Sequence, residues 1–364
     1  MFRINYNYVL AGQYTNVMLD KVDAVINTVL QPGFKISKYL GRGTRIIPVE
    51  VVVDPQGFTR DFLCTYRKNK MLKPLLGGDV SYLRSLIDMV RMDSPEHFVK
   101  LTKRKYDRCY AGKSSFEDFH TIMTYIFVEN GYEKKGFVNN DSIIDGIGLK
   151  VCPYCGQTYI GRVKYKRENG TMHVAKAQID HFFPKGQYPF LALSYANFIP
   201  SCPACNMSHK HIEDVVDSHG LMKLMSPYEF EESKFKFVFG LKKAGYMDEK
   251  NIGVKTVFKN ATQEDNALKI GYQSILGLDK LYEYHNDIVM DILIKKAIEQ
   301  TSQLLYYKRG VGIDDAFLNR YITAIYGYEP DPKSDKHRIM SKFIRDIVKQ
   351  VDEIIRLANN AGRK

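Results

Sequence analysis

Gln178-Ile179-Asp180-His181-Phe182-Phe183-Pro184-Lys185, then Tyr195-Ala196-Asn197-Phe198-Ile199-Pro200, then Cys202-Pro203-Ala204-Cys205-Asn206-Met207-Ser208-His209-Lys210 is the stretch that decides how this chain is read. An Asp-His pair ends a strand-like run, and Asn206 follows Asn197 by nine residues, directly after a C-P-x-C pair. A second such pair, Cys152-Pro153-Tyr154-Cys155, lies upstream with 46 residues between them. A C-x-x-C turn sets two thiolates on one side of a tight knuckle, each about 2.3 Å from a bound Zn²⁺, and two knuckles complete a tetrahedral site. Cys152, Cys155, Cys202 and Cys205 therefore predict a closed, structural Zn²⁺ centre. The spacing is too long for a simple ribbon, so the intervening chain must fold back. Neither pair follows a strand in a thioredoxin-like βαβ setting, which argues against a redox role.

The residues between the pairs suit phosphodiester hydrolysis. That reaction needs a base for water, a divalent cation for the scissile phosphate, and something to fix both. His181, at a strand end, can be the base, and Asp180 supplies a hard oxygen for a metal. Asn206 opens a helix, where its amide oxygen can complete the metal site. Asn197 can tie the loop shut and so orient His181. Lys185 and Lys210 are candidates for phosphate oxygens. Lys103 and Arg104 belong to a cluster over 100–113, interleaved with Tyr106 and Tyr110, that has the composition of a nucleic-acid track or of a solvated face. His173, His211 and His219 read as ordinary surface or core residues.

The pattern D-H-x-x-P, then Asn197, then Asn206, with C-x-x-C pairs around it, resembles the HNH (ββα-metal) nucleases, most closely the zinc-containing branch that includes McrA-type restriction nucleases. The segments P-K-x-x-Y-P (184–189) and N-x-x-P-S-C-x-x-C-N (197–206) further resemble HNH proteins of Septu-type bacterial anti-phage systems. The resemblance spans residues 150–212 and no more. It implies that Asp180 and Asn206 hold a single Mg²⁺ or Mn²⁺, that His181 is the general base, and that Asn197 is a structural asparagine. Products with 5′-phosphate and 3′-hydroxyl ends are implied too. Many relatives carry histidine where this chain has Asn206, which makes His209, three residues on, a weaker candidate ligand.

Length and composition frame the rest. The chain has 364 residues and a formal net charge of +12, from 53 Lys+Arg against 41 Asp+Glu. The length suggests two or three domains, and the charge a polyanionic partner, nucleic acid before membrane. There is no run of 18 apolar residues and no signal-peptide pattern at the start, so a cytoplasmic protein is expected. Cys64 and Cys109 read as ordinary buried thiols.

The expected class is α+β. An N-terminal α/β region (1–149), for DNA or partner binding, precedes a zinc-containing HNH domain (150–225) and a mainly helical region (226–364). Helices are expected near 16–30, 82–90, 116–128, 263–275, 278–308, 313–326 and 335–359. Strands are expected over 45–53, 159–166 and 172–179, with a β-like stretch at Phe235, Phe237 and Phe239.

Together these readings favour a metal-dependent DNA endonuclease, the effector of a prokaryotic defence system, cutting double-stranded DNA and gated by a protein partner such as an ATPase. The alternatives are a stand-alone restriction-type enzyme and a non-catalytic zinc module that binds DNA or a partner. RNA remains open as a substrate.

Overall fold

Asn7 starts the first helix. Its side chain accepts the N–H groups of Val9 and Leu10 at 3.1 Å, relieving the orphan donors of Tyr8–Val29. Ala11, Met18, Val22, Ile26 and Val29 fall on its buried stripe. The helix was expected only from Asn16, because Tyr8 and Val9 at its start are exposed and its first inward apolar residue, Ala11, is small. In this computed structural model, the residues described are 2–41, 46–168, 170, 172–175, 177–243, 248–258, 262–301 and 315–361.

The architecture is mixed α+β, with one three-stranded and three two-stranded sheets among the described residues. In the N-terminal region, β1 (Ile36–Leu40) and β2 (Ile47–Val51) are antiparallel, and β3 (Ser115–Phe116) joins β2 in parallel. Asp79 caps the helix Val80–Asp93, which buries Leu83, Leu86, Ile87 and Val90. The helix Phe119–Met123 runs on as a π-helical turn, Thr124–Tyr132.

The centre contains two hairpins. β4 (Val163–Lys166) pairs with β5 (Met172–Ala175), and β6 (Gln178–His181) pairs with β7 (Phe198–Ser201). The strand expected over 172–179 is thus divided between two sheets. β7 was not expected: all four of its residues are buried, so no alternation of exposed and buried positions marks it. A short π-helical segment, Ala204–His209, follows β7 and carries Asn206.

In the C-terminal region β8 (Phe235–Leu241) pairs with β9 (Ile252–Phe258) along its whole length. β9 was not expected, although Ile252, Val254 and Thr256 alternate inward. The helix Ser341–Ala361 lies against β8. Asp346 accepts the Phe237 N–H, and Gln350 accepts the Phe239 N–H and donates to its carbonyl, so these side chains cover the strand's open edge. The helix expected over 278–308 is instead Leu278–Glu283 and then Asn286–Thr301, and 302–308 lie outside the described residues. Ile292 is core as expected, but Ile298 faces solvent.

Most buried apolar residues from Phe2 to Val351 join one core, which crosses the boundaries expected at 149/150 and 225/226, while Ala11, Ile143, Tyr195 and Phe198 form a second, smaller cluster. Among the described residues no helix is long and apolar enough to cross a membrane.

Candidate metal centre and active-site cleft

The Sγ atoms of Cys152, Cys155, Cys202 and Cys205 lie within 4.8 Å of one another, and all four residues are buried. A tetrahedron with Zn–S bonds of about 2.3 Å has edges of about 3.8 Å, so the cluster fits a metal of that kind. Backbone donors aim at the sulfurs. The Cys202 N–H points to Cys152, the Cys205 N–H to Cys202 and the Gln157 N–H to Cys155, each at 3.4 Å. Such donors stabilise thiolates, the form that binds metal. Hydrogen bonds from its cysteine neighbours hold the Cys155 thiol far below its usual range, whereas burial pushes Cys152 up. Cys64 and Cys109 are half-buried rather than core.

The knuckle reaches the acid of the Asp-His pair directly. Tyr154, inside C-P-Y-C, donates its hydroxyl to Asp180 Oδ2 at 2.5 Å. Lys210 Nζ lies 3.2 Å from Asp180 Oδ1 and 3.1 Å from Oδ2, and donates to the His181 carbonyl at 2.8 Å. All three side chains are buried. Burial pushes the Asp180 carboxyl above its usual value, opposed by Lys210 and Tyr154. Lys210, expected to contact phosphate, is wholly enclosed and does not line the cleft. Its charge is spent on Asp180, because an uncompensated carboxylate there would be costly.

His181 closes β6 opposite Phe198. Its Nε2 is 3.0 Å from the Ala192 carbonyl, which can only accept, so Nε2 carries the proton and Nδ1 keeps its lone pair. Tyr132 packs edge-on against the ring at 4.4 Å. Burial, with the charges of Lys185 and Lys210, pushes the imidazole pKa down to about 3. Asn197 holds the loop that presents Ala192. Its Nδ2 donates to Phe183 O and Leu191 O, both at 3.0 Å, and its Oδ1 accepts the Phe183 N–H at 2.7 Å.

A cleft of about 740 Å³ brings Asp180, His181, Asn206 and Lys185 together. Asn206 spends its amide nitrogen on Gln178 Oε1 at 2.8 Å, which leaves its carbonyl oxygen as the donor to a cation. Asp180 and Asn206 both carry oxygen atoms of the hard kind that could hold a cation such as Mg²⁺ or Mn²⁺. Lys185 pairs with Glu133 and lies over the Tyr132 ring. His209 is half-buried and does not line this cleft. Lys103 and Arg104 do not line it either. Half of the six cations of the 100–113 cluster form ion pairs within the protein: Lys103 with Asp107, Lys105 with Asp118, and Arg108 with Glu96.

Several lining residues escaped sequence reasoning. Lys38 and Tyr39 of β1, Lys100, His120, Tyr132 and His211 all reach the cleft. His211 has a φ of 42°, an uncommon conformation for a side-chain-bearing residue. Lys100 belongs to a charge cluster visible in the sequence, and His211, read there as an ordinary surface or core residue, lines the cleft; the others gave no local signal. Compared with known family models, curated proteins and solved structures, the chain matches none.

Proposed function

We propose that the protein is a metal-dependent endonuclease of the HNH kind, acting on DNA, with a structural Zn²⁺ in its four-cysteine centre. One observation carries this reading: a neutral imidazole with a free Nδ1, a carboxylate and an amide oxygen share one cleft on a strand–strand–helix unit. Asp180 and Asn206 would hold a divalent cation, which would supply charge stabilisation at the phosphate. His181 Nδ1 takes the proton of the attacking water while Nε2 stays anchored to Ala192. The phosphate's negative charge beside the ring raises the proton affinity that burial and two ammonium groups depress. Lys185 and Lys100, at the cleft wall, hold phosphate oxygens once the phosphate draws Lys185 from Glu133. Exposed Tyr39 offers a face on which a base can stack.

The class of effector rests on sequence resemblance alone. A nuclease of an anti-phage system, gated by a partner such as an ATPase, is the reading that resemblance favours.

The test is incubation of the zinc-loaded chain with end-labelled DNA in Mg²⁺, Mn²⁺ or EDTA. Cation-dependent fragments with 5′-phosphate ends support the reading. Binding without cutting under every cation and trigger tried supports the zinc-module alternative.

A further inference from the structure

Asp180 is already engaged before any cation arrives. A carboxylate offers roughly four lone-pair positions. Tyr154 takes one and Lys210 approaches both oxygens, from the enclosed side away from the cleft lining. Asn206, the other hard donor, is neutral. The donor set therefore presents a cation with one carboxylate whose charge is balanced by an ammonium about 3 Å away. Such a site is preorganised but electrostatically weak.

We infer that Lys210 is a positioning residue that holds Asp180 aimed while making cation capture conditional on a phosphodiester. The phosphate contributes the negative charge that the Lys210–Asp180 pair lacks, so metal and nucleic acid bind together. This inference rests on the nuclease reading and says how its site is loaded. Tyr154 fixes the second oxygen from inside the zinc knuckle, so the same carboxylate is held by a tyrosine and a lysine that frame the catalytic unit.

The experiment is Mn²⁺ binding followed by electron paramagnetic resonance, at about pH 8, on the zinc-loaded full chain carrying His181→Ala so that no cleavage occurs. Titrations are run with and without a short DNA duplex. At least a tenfold tightening of Mn²⁺ binding by DNA is expected. Lys210→Gln, which keeps a donor to the His181 carbonyl but removes the charge, is expected to tighten Mn²⁺ binding without DNA and shrink the effect of DNA. Asp180→Asn is expected to abolish binding in both. Mn²⁺ bound equally tightly with and without DNA overturns the inference and leaves the nuclease reading standing. No Mn²⁺ bound in either condition overturns both. The comparison with and without DNA does not depend on whether Lys210→Gln folds, and zinc content reports on that separately.

Discussion

At the residue scale, Asn197 holds the candidate base His181 in place indirectly. Its three hydrogen bonds fix residues 183 and 191, and residue 191 precedes the carbonyl that orients His181. Asn197→Ala strands the buried N–H and carbonyl of Phe183, while the Leu191 carbonyl keeps the Ser194 N–H, so a loss on the order of 3 kcal/mol is expected; urea denaturation measures it. The buried imidazoles set a pH dependence. His181 and His120 both have their pKa lowered, chiefly by burial. The unfolded chain therefore binds protons that the folded one does not, once pH drops below about 6.5. Stability is expected to fall between about pH 6.5 and pH 3, and to be insensitive to these groups above that window. His120→Gln should flatten the slope, as seen by denaturation at successive pH values. Asp180, His181, Asn197 and Asn206 stood out as candidates, and the cysteines as two pairs, because each sits in a short motif of a few residues. Tyr154 and Lys210 were not legible as the partners of Asp180, because only the fold makes them so.

At the scale of elements, the metal centre joins more than its own loops. Tyr282 donates to the Cys155 carbonyl at 2.5 Å, and the Met340 N–H donates to the Gly156 carbonyl at 2.6 Å, so the helical region is docked on the first knuckle. Chelation of the bound metal is expected to lower the melting temperature and to loosen this docking, and activity should not return with Mg²⁺ alone; circular dichroism and metal analysis check this. Gly271 marks another junction. A Cβ there would stand 2.0 Å from the Lys223 carbonyl oxygen, a backbone atom that cannot swing aside. Gly271→Ala is expected to cost at least about 1–3 kcal/mol through overpacking, measurable as a shift in the denaturation midpoint. The helix Gln263–Ser274 was readable from its sequence, since Thr262 caps it and Ala267, Leu268 and Tyr272 face inward. The pairing of β6 with β7 was not, because 16 residues separate the strands and no tight-turn signal links them.

At the scale of the whole molecule, a charge of +12 belongs to a chain whose cleft wall carries Lys38, Lys100 and Lys185. Lys38 and Lys185 pair with Glu129 and Glu133 of one helical turn, which a polyanion must displace. DNA binding is therefore expected to weaken steeply between about 50 and 200 mM salt, and Lys100→Ala to reduce the slope of that dependence by about one ion; fluorescence anisotropy measures both. The central claim is that His181 activates water for phosphodiester hydrolysis. Nicking of supercoiled plasmid in Mn²⁺ by the wild type, beside His181→Ala matched for zinc content and folding, tests it most directly. The expected result is cleavage that EDTA stops and that the variant lacks. Equal cleavage by both proteins would contradict the assignment of His181 and, with it, the account of the cleft.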